Sequence, residues 1–281
     1  MNRTEITWRG KDGKLTFAQG WSPKAQSRGV VCLVHGLGEH GGRYDRVACD
    51  FRDAGIATLA MDVRGHGRSE GKRGHVPSFE LIHSEIAHLL EEARTRHFGA
   101  PIFLYGHSFG GAMVLHHALR SQEKLAGVIV SSPALRPAFE PPAWKTLLGK
   151  CLNHVWPSLA LANELDVNEI SSDPTVVRAY REDPLVHDRI SVRLFNEWLA
   201  AVAEIFGRAD EFPQPILLFH GSADKLTSAP ATRELAGHLG SRCTFRLLEG
   251  CRHEPHNEPC KQDLQQWITA WMNERIETFK D

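Results

Sequence analysis

A serine flanked by glycines stands between a predicted strand and a predicted helix. Gly106-His107-Ser108-Phe109-Gly110 fits the pattern G-x-S-x-G. A serine on so tight a turn has strained backbone geometry, and the glycines are needed because a Cβ would collide with the neighbouring strand and helix. The alternative is an ordinary strand-to-helix turn in which the serine only caps the helix. The context favours Ser108 as a nucleophile.

An aspartate that could serve such a serine follows a late apolar run. A serine hydroxyl is a poor nucleophile at its free pKa, so it needs a base and a group that orients the base. Asp224 comes after the strand-like run 215–221, where functional groups of open α/β sheets collect. Asp210 is the competitor, but it precedes that strand. A turn aspartate that caps the next helix is the alternative interpretation of Asp224.

The predicted base is a histidine after the next strand. His253 follows the run that ends near Leu248, and His256 lies three residues further on. Position favours His253, although most of the 16 histidines must have other roles. We expect Nε2 of His253 to take the proton of Ser108 while its Nδ1–H donates to Asp224.

Two backbone amides are expected to stabilise the oxyanion of a tetrahedral intermediate. The residue after the nucleophile, Phe109, supplies one amide in this kind of turn. The run His35-Gly36-Leu37-Gly38, at the exit of the first parallel strand, is the natural source of the second, with the Leu37 N–H as the expected donor. A glycine turn leading into the next helix is compatible with that role.

Other patterns argue against cofactors, metals and nucleic acid. The glycine-rich stretch 62–69 lacks Walker spacing, and a structural turn stabilised by Asp62 and Arg64 is the preferred interpretation. The histidines show no metal-ligand spacing, so we expect no metal and no cofactor. A formal net charge of -1 favours no polyanion, and a small or neutral substrate is expected.

The elements that carry these residues alternate between strand and helix. After a hairpin (5–8 and 15–21), strands are predicted at 29–35, 56–63, 102–106, 125–131, 215–221 and 244–248. Helices are predicted at 44–54, 78–97 with Ser78 as N-cap, 109–122, 231–239 and 263–276. Such repeats imply an α/β fold whose mostly parallel central sheet is flanked by helices.

Residues 136–213 interrupt the alternation. The segment is punctuated by prolines and has no strand-like run, so it is predicted to be a helical cap, or lid, inserted between core segments 1–135 and 214–281. An apolar stripe at helical spacing comprises Trp144, Leu147, Leu148, Cys151, Leu152, Val155, Trp156 and Leu159. The stripe is either ordinary core or the lining of an acyl-chain channel that meets a lipid surface.

Cysteines and termini indicate the compartment. The six cysteines lie far apart without C-x-x-C pairing, which favours free thiols over a disulfide framework. The first residues contain no apolar signal region, and no stretch approaches the roughly 18 apolar residues of a spanning helix. We expect a cytosolic protein with at most peripheral membrane contact through the cap, and no obligate protein partner is evident.

The motifs resemble those of the monoacylglycerol lipase and lysophospholipase group of α/β-hydrolases, in that group's order. They are HGLGEHGGRY (35–44), DVRGHGRSEGKRGHVPSF (62–79), GHSFGGAM (106–113), SSDPTVVRAYREDPLVH (171–187), GSADKLTS (221–228) and HEPHNEP (253–259). The resemblance implies the α/β-hydrolase fold, a triad of Ser108, Asp224 and His253, and oxyanion amides at Leu37 and Phe109. It also implies hydrolysis of a fatty-acid monoester of glycerol, or of a lysophospholipid, without a cofactor.

The chain departs from that group's pattern at a few positions. Phe109 stands where methionine is frequent, and Pro255 and His256 replace the usual apolar pair. These changes leave the triad intact and bear on substrate detail. The same triad would also serve an acyltransferase or a peptidase that removes N-terminal residues. A catalytically inactive binding protein is the alternative from another class, since fold alone does not prove function.

Overall fold

A computed structural model describes residues 3–138 and 152–279 of the chain. Strands of the central sheet are β1 (Arg3–Arg9), β2 (Leu15–Trp21), β3 (Gly29–Val34), β4 (Ile56–Asp62), β5 (Ile102–His107), β6 (Gly127–Ser131), β9 (Ile216–Gly221) and β10 (Cys243–Leu248). Two further strands, β7 (Ala160–Ala162) and β8 (Arg189–Ser191), lie between β6 and β9 in the chain. The α-helices that lie wholly within the described residues are α1 (Asp45–Asp53), α2 (Phe79–Arg96), α3 (Phe109–Arg120), α4 (Pro174–Glu182), α5 (Val192–Gly207), α6 (Ala229–Leu239) and α7 (Lys261–Thr278).

The central sheet has eight strands in the order β1-β2-β4-β3-β5-β6-β9-β10. Only the pairs of β2 with β1 and with β4 are antiparallel, and the other neighbours run parallel. The predicted mostly parallel sheet flanked by helices is therefore confirmed. Because parallel strands end at one edge, the residues that follow β3, β5, β9 and β10 share that edge.

The inner strands β3, β4, β5, β6 and β9 are buried on both faces, as their continuous apolar runs predict. In β3, Val30, Cys32 and Val34 pack into the cluster that includes α2 and α3. Val31 and Leu33 point to the opposite face and pack with α1 and α7. The sheet thus forms the middle layer between two layers of helix.

Helix α2 begins where the sequence predicts, but a different side chain caps it. Ser78 occupies the N-cap position without making a side-chain capping hydrogen bond. The carboxylate of Glu197, on α5, accepts a hydrogen bond from the Phe79 amide at 3.0 Å. A partner 118 residues away in the chain therefore does what the adjacent serine was expected to do.

The segment 136–213 contains strand as well as helix. Strands β7 and β8 pair antiparallel, with Leu161 opposite Ile190, so the prediction of a segment without strands is wrong. Each strand has three residues, which is too short to give an alternating pattern in the sequence. The extent of the predicted cap, and of the core segments around it, stays a prediction.

Helix α5 closes this segment and packs against α3 with its apolar face. Leu194, Trp198 and Ile205 belong to the same buried cluster as the α2 and α3 face of the sheet. The Trp198 indole N–H donates to the Ala134 carbonyl at 2.6 Å. Part of the segment is therefore continuous with the main core.

Of the predicted apolar stripe, Trp144, Leu147, Leu148 and Cys151 lie outside the described residues. In the described part, Val155 is 83% and Trp156 57% exposed, so these two side chains are not core. None of the helices within residues 3–138 and 152–279 is long and apolar enough to cross a bilayer.

Candidate active site

Ser108 lies on a sharp turn between β5 and α3. Its φ of 53° is in the left-handed region that side-chain-bearing residues rarely adopt. A Cβ on Gly106 would lie 2.4 Å from the Gly110 carbonyl oxygen, and one on Gly110 would lie 2.2 Å from that of Val34. Both glycines are thus required for the close approach of strand and helix. The Ser108 amide donates to the Ser131 carbonyl at 2.9 Å, which fixes the turn to β6.

The structure brings the three predicted triad side chains together. Ser108 Oγ lies 2.9 Å from Nε2 of His253, and Nδ1 of His253 lies 2.7 Å from Oδ2 of Asp224. His253 is 6% exposed, and the side chain of Asp224 is fully buried. A base oriented by a carboxylate and bonded to a serine hydroxyl is the arrangement that activates serine for nucleophilic attack.

The environment of Asp224 keeps its carboxylate ionised. Oδ1 accepts from the amides of Leu226 and Thr227 at 2.8 and 3.0 Å. Oδ2 accepts from the Thr227 hydroxyl at 2.8 Å and lies 2.9 Å from Nε2 of His220. Burial alone would raise the pKa of Asp224, but His253 and His220 hold that pKa well below its usual range.

The charge of Asp224 acts in turn on His253. Burial alone would lower the pKa of His253, but the neighbouring Asp224 carboxylate outweighs it and raises that pKa. The imidazolium that would form during proton transfer is thus stabilised by the negative charge of the Asp224 carboxylate beside Nδ1.

The two competing residues lie elsewhere. Asp210 is in a 3-10 helix (Ala209–Glu211), before β9. The ring of His256 stacks on Tyr44 with centroids 5.0 Å apart, and burial lowers the pKa of His256 to about 4. His256 is thus a neutral packing residue, whereas His253 contacts the serine.

Of the two amides expected to bind an oxyanion, that of Phe109 directly follows Ser108, and that of Leu37 lies in a segment that packs beside Ser108. Within the described residues, the N–H groups of Leu37 and Phe109 donate no hydrogen bond to the protein. Phe109 is the first residue of α3, where N–H groups have no partner within the helix. A Cβ on Gly36, next to Leu37, would lie 3.2 Å from Cβ of Ser108, so the two chain segments are adjacent.

A buried histidine orients the peptide that carries the Leu37 amide. Nε2 of His35 lies 2.9 Å from the Val63 amide and must accept from it, so this nitrogen is unprotonated. The proton is therefore on Nδ1, which donates to the Gly36 carbonyl at 2.7 Å. That carbonyl and the Leu37 N–H belong to one peptide group. Burial lowers the pKa of His35, which keeps the ring neutral in this role.

A buried ionic network beneath the site was not predicted. Glu39 accepts from the Gly36 amide at 2.6 Å and pairs with Arg43. The Arg43 guanidinium makes a bidentate pair with Glu254 at 2.8 and 2.9 Å. Burial would raise the pKa values of both glutamates, but Arg43 lowers each to about 2. The network joins the loop after β3 to the residue after His253, and no local pattern shows a contact between residues 211 apart.

The glycine-rich stretch 62–69 is a structural turn, as predicted. Asp62 accepts from the amides of Gly41 and Arg68, each at 2.8 Å. The guanidinium of Arg64 is buried against Glu85, with a shortest distance of 2.6 Å. In the described part of the chain, no group of three or more His, Cys, Asp or Glu side chains could hold a metal ion.

The segment 136–213 contacts loops at the edge of the sheet that carries Ser108, Asp224 and His253, which is called the catalytic edge below. The His187 amide donates to the Gly38 carbonyl at 2.8 Å, and Asp183 Oδ2 lies 2.9 Å from Nε2 of His40. On the other side, the Glu254 amide donates to the Ile170 carbonyl at 2.8 Å. These contacts reach the loops after β3 and β10.

The sequence and fold match known hydrolases. A profile of the family described as serine aminopeptidase, S33, matches residues 25–260. The chain belongs to this hydrolase family. A monoacylglycerol lipase from Mycolicibacterium smegmatis is 31% identical over 272 residues, which cover 96% of this chain and 97% of that protein. The crystal structure of the Paleococcus ferrophilus monoacylglycerol lipase superposes with a TM-score of 0.83 at 34% identity, covering 98% of this chain and 100% of that one.

Another relative shares only part of its length with the chain. An uncharacterised abhydrolase domain-containing protein from Dictyostelium discoideum is 38% identical over 273 residues, or 96% of this chain. The chain spans 29% of the length of that relative. Together the matches confirm the predicted α/β-hydrolase fold, the resemblance to the monoacylglycerol lipase group, and the predicted enzyme class, a carboxylic ester hydrolase.

Proposed function

We propose that the enzyme hydrolyses monoacylglycerols to a free fatty acid and glycerol, with Ser108, His253 and Asp224 as its catalytic triad. The observation that carries the proposal is the continuous chain of contacts from the Ser108 hydroxyl through His253 to Asp224, at 2.9 and 2.7 Å. The monoacylglycerol lipases with which the chain aligns over most of both lengths support the substrate class.

The reaction proceeds in two steps through an acyl-enzyme. Ser108 Oγ attacks the ester carbonyl carbon while its proton passes to Nε2 of His253. The carbonyl oxygen becomes an oxyanion that accepts from the amides of Leu37 and Phe109. His253 then gives its proton to the departing glycerol oxygen. In the second step a water molecule, deprotonated by His253, releases the fatty acid and restores the Ser108 hydroxyl.

The segment 136–213 acts as a cap that meets a lipid surface. Val155, Trp156 and Leu161 are 83%, 57% and 53% exposed, and they lie close together in the chain. Large apolar side chains at the surface partition into the headgroup region of a membrane or micelle. Replacement of Trp156 by serine should weaken co-sedimentation with phosphatidylcholine vesicles. Unchanged co-sedimentation would contradict this role of the exposed side chains.

The triad is tested by Ser108→Ala in a hydrolysis assay with monoacylglycerols and lysophospholipids of several chain lengths. The variant should keep the fold and lose turnover by a factor of about 10⁴ or more, because no other group supplies the nucleophile. Ser121→Ala is the matched control, since Ser121 lies at the other end of α3 and should retain full activity. Hydrolysis of a p-nitrophenyl ester by Ser108→Ala at the parent rate would refute the assignment.

The same panel separates the alternatives that share the triad. Amide substrates with a free N-terminus would be cleaved by a peptidase, and competing alcohols would be acylated by an acyltransferase. A preference for lysophospholipids over monoacylglycerols would keep the triad and overturn the substrate class. A pure protein that a fluorophosphonate probe does not label would be a binding protein instead.

A further inference from the structure

Two cysteines on either side of His253 have their sulfur atoms in contact. Cys251 Sγ lies 2.7 Å from Cys260 Sγ, and both residues carry free thiols. The separation exceeds the about 2.05 Å of a disulfide bond but lies well within reach of one. Among the described cysteines, no other pair of thiols makes such a contact. We propose that Cys251 and Cys260 are a modification site at which a disulfide bond forms reversibly.

The position of Cys251 ties this site to the catalytic loops. Its carbonyl oxygen accepts from the Ala223 amide at 3.0 Å, next to Asp224, and its own amide donates to the Leu248 carbonyl. The residue is 4% exposed. The disulfide would therefore anchor the loop that carries His253 to a point already fixed against the Asp224 turn.

The second cysteine gives the site access to solvent. Cys260 is half-buried and occupies the N-cap position of α7, and its Sγ lies 3.9 Å from the Pro255 carbonyl. Burial raises the pKa of Cys251 to about 12, so this thiol stays protonated in the reduced protein. A dissolved reagent thus reacts first at Cys260.

Oxidation requires a low-molecular-weight disulfide, such as that of glutathione. The Cys260 thiolate attacks one sulfur of the reagent, which breaks the reagent's S–S bond, releases one thiol and leaves a mixed disulfide. Cys251 Sγ, losing its proton to solvent, attacks Cys260 Sγ and displaces the second thiol. Two protein thiols are oxidised and one reagent disulfide is reduced to two thiols, which take up from solvent the two protons that the protein thiols released to it.

The bond should stabilise the loop without moving the triad. It closes a ring from residue 251 to residue 260, which restricts the unfolded chain more than the folded one. The two sulfurs are already neighbours, so the Ser108–His253 contact needs no rearrangement. We expect Tm to rise by about 5 °C on oxidation, with turnover changed by less than about twofold.

The full-length protein is incubated with glutathione disulfide, blocked with N-ethylmaleimide and digested with trypsin, which cuts between the two cysteines after Arg252. A linked pair of peptides 247–252 and 253–261 is expected in the parent protein and in the control variant Cys243→Ser. Cys260→Ser should lack the linked pair and show no rise in Tm on oxidation. Dithiothreitol should reverse both changes in the parent.

Three outcomes would overturn the proposal. They are alkylation of both Cys251 and Cys260 by N-ethylmaleimide after oxidation, a persistent mixed disulfide between Cys260 and glutathione, and a disulfide from either residue to a different cysteine of the chain. Because the readouts are peptide masses and Tm, they do not depend on which ester the enzyme hydrolyses. If no disulfide forms, the proposed hydrolysis of monoacylglycerols is unaffected. If that hydrolysis is not found, the proposed disulfide site still stands.

Discussion

His253 is subject to two opposing electrostatic effects. Its burial disfavours the charged ring, whereas the Asp224 carboxylate 2.7 Å from Nδ1 favours it, and the net result is a raised pKa of His253. The proposed role of His253 as a general base requires the neutral ring, so this arrangement should move the acid limit of activity to higher pH. The same carboxylate makes the ring a stronger base once it is neutral.

The pH dependence of kcat/KM should reveal this balance. Activity should be lost as pH falls through the raised pKa of His253, because the protonated ring cannot accept the Ser108 proton. The midpoint of the acid limb is expected above the usual histidine value of about 6.5. Initial rates with a soluble short-chain ester, measured from acid to alkaline pH, give the midpoint. A midpoint well below that value would contradict the role of Asp224.

At the scale of elements, the segment 136–213 contacts helix α2 and the chain after β6 as well as the loops that follow β3 and β10. Glu197 of α5 accepts from the first amide of α2, and Trp198 donates to the chain after β6. The segment also holds the loop after β3 through His187 and Asp183. The geometry of the catalytic edge thus depends on contacts made by the predicted cap.

Replacement of the two candidate caps of α2 distinguishes them. Glu197→Ala should lower the free energy of unfolding by about 1 kcal/mol, since it removes the acceptor of the Phe79 amide. Ser78→Ala should change the free energy of unfolding by only a few tenths of about 1 kcal/mol, because the Ser78 side chain makes no capping hydrogen bond. Urea unfolding followed by circular dichroism measures both. Equal losses of unfolding free energy in the two variants would contradict the assignment of the capping role to Glu197 and support Ser78 as the cap.

At the scale of the whole molecule, many histidines are buried or half-buried, which favours their neutral form. Burial lowers the pKa of His83 to about 3 and of His117, His187 and His256 to about 4. In the unfolded chain these rings take up protons near pH 6.5. Between about pH 6.5 and 4 the unfolded state therefore binds more protons, and stability falls as pH falls.

Acidification should accordingly destabilise the fold. We expect Tm to drop by roughly 10 °C between pH 7 and pH 5 at constant ionic strength. His117→Asn should reduce this drop because it removes one buried titrating ring. His88→Asn is the control, since the His88 side chain is 42% exposed. The account is wrong if Tm does not change over this range, or if both variants respond alike.

The sequence predicts the features that depend on residues close together in the chain. Apolar runs fix the strands, and the residues that follow them place Ser108, Asp224 and His253 at one edge. The pairing of β7 with β8 has no such signal, because three residues cannot show a periodicity. The capping of α2 by Glu197 and the bond between Arg43 and Glu254 depend on packing between distant segments, which composition and spacing do not encode.

The position of α5 sets a limit for chimeras with related enzymes. A swap of residues 136–213 as one block would also exchange Leu194, Trp198 and Ile205, which fill space beside α3. Foreign side chains at these positions would leave voids or clashes next to the helix that follows Ser108. A transplant intended to change chain-length preference should therefore end before Val192 and keep the recipient's own α5.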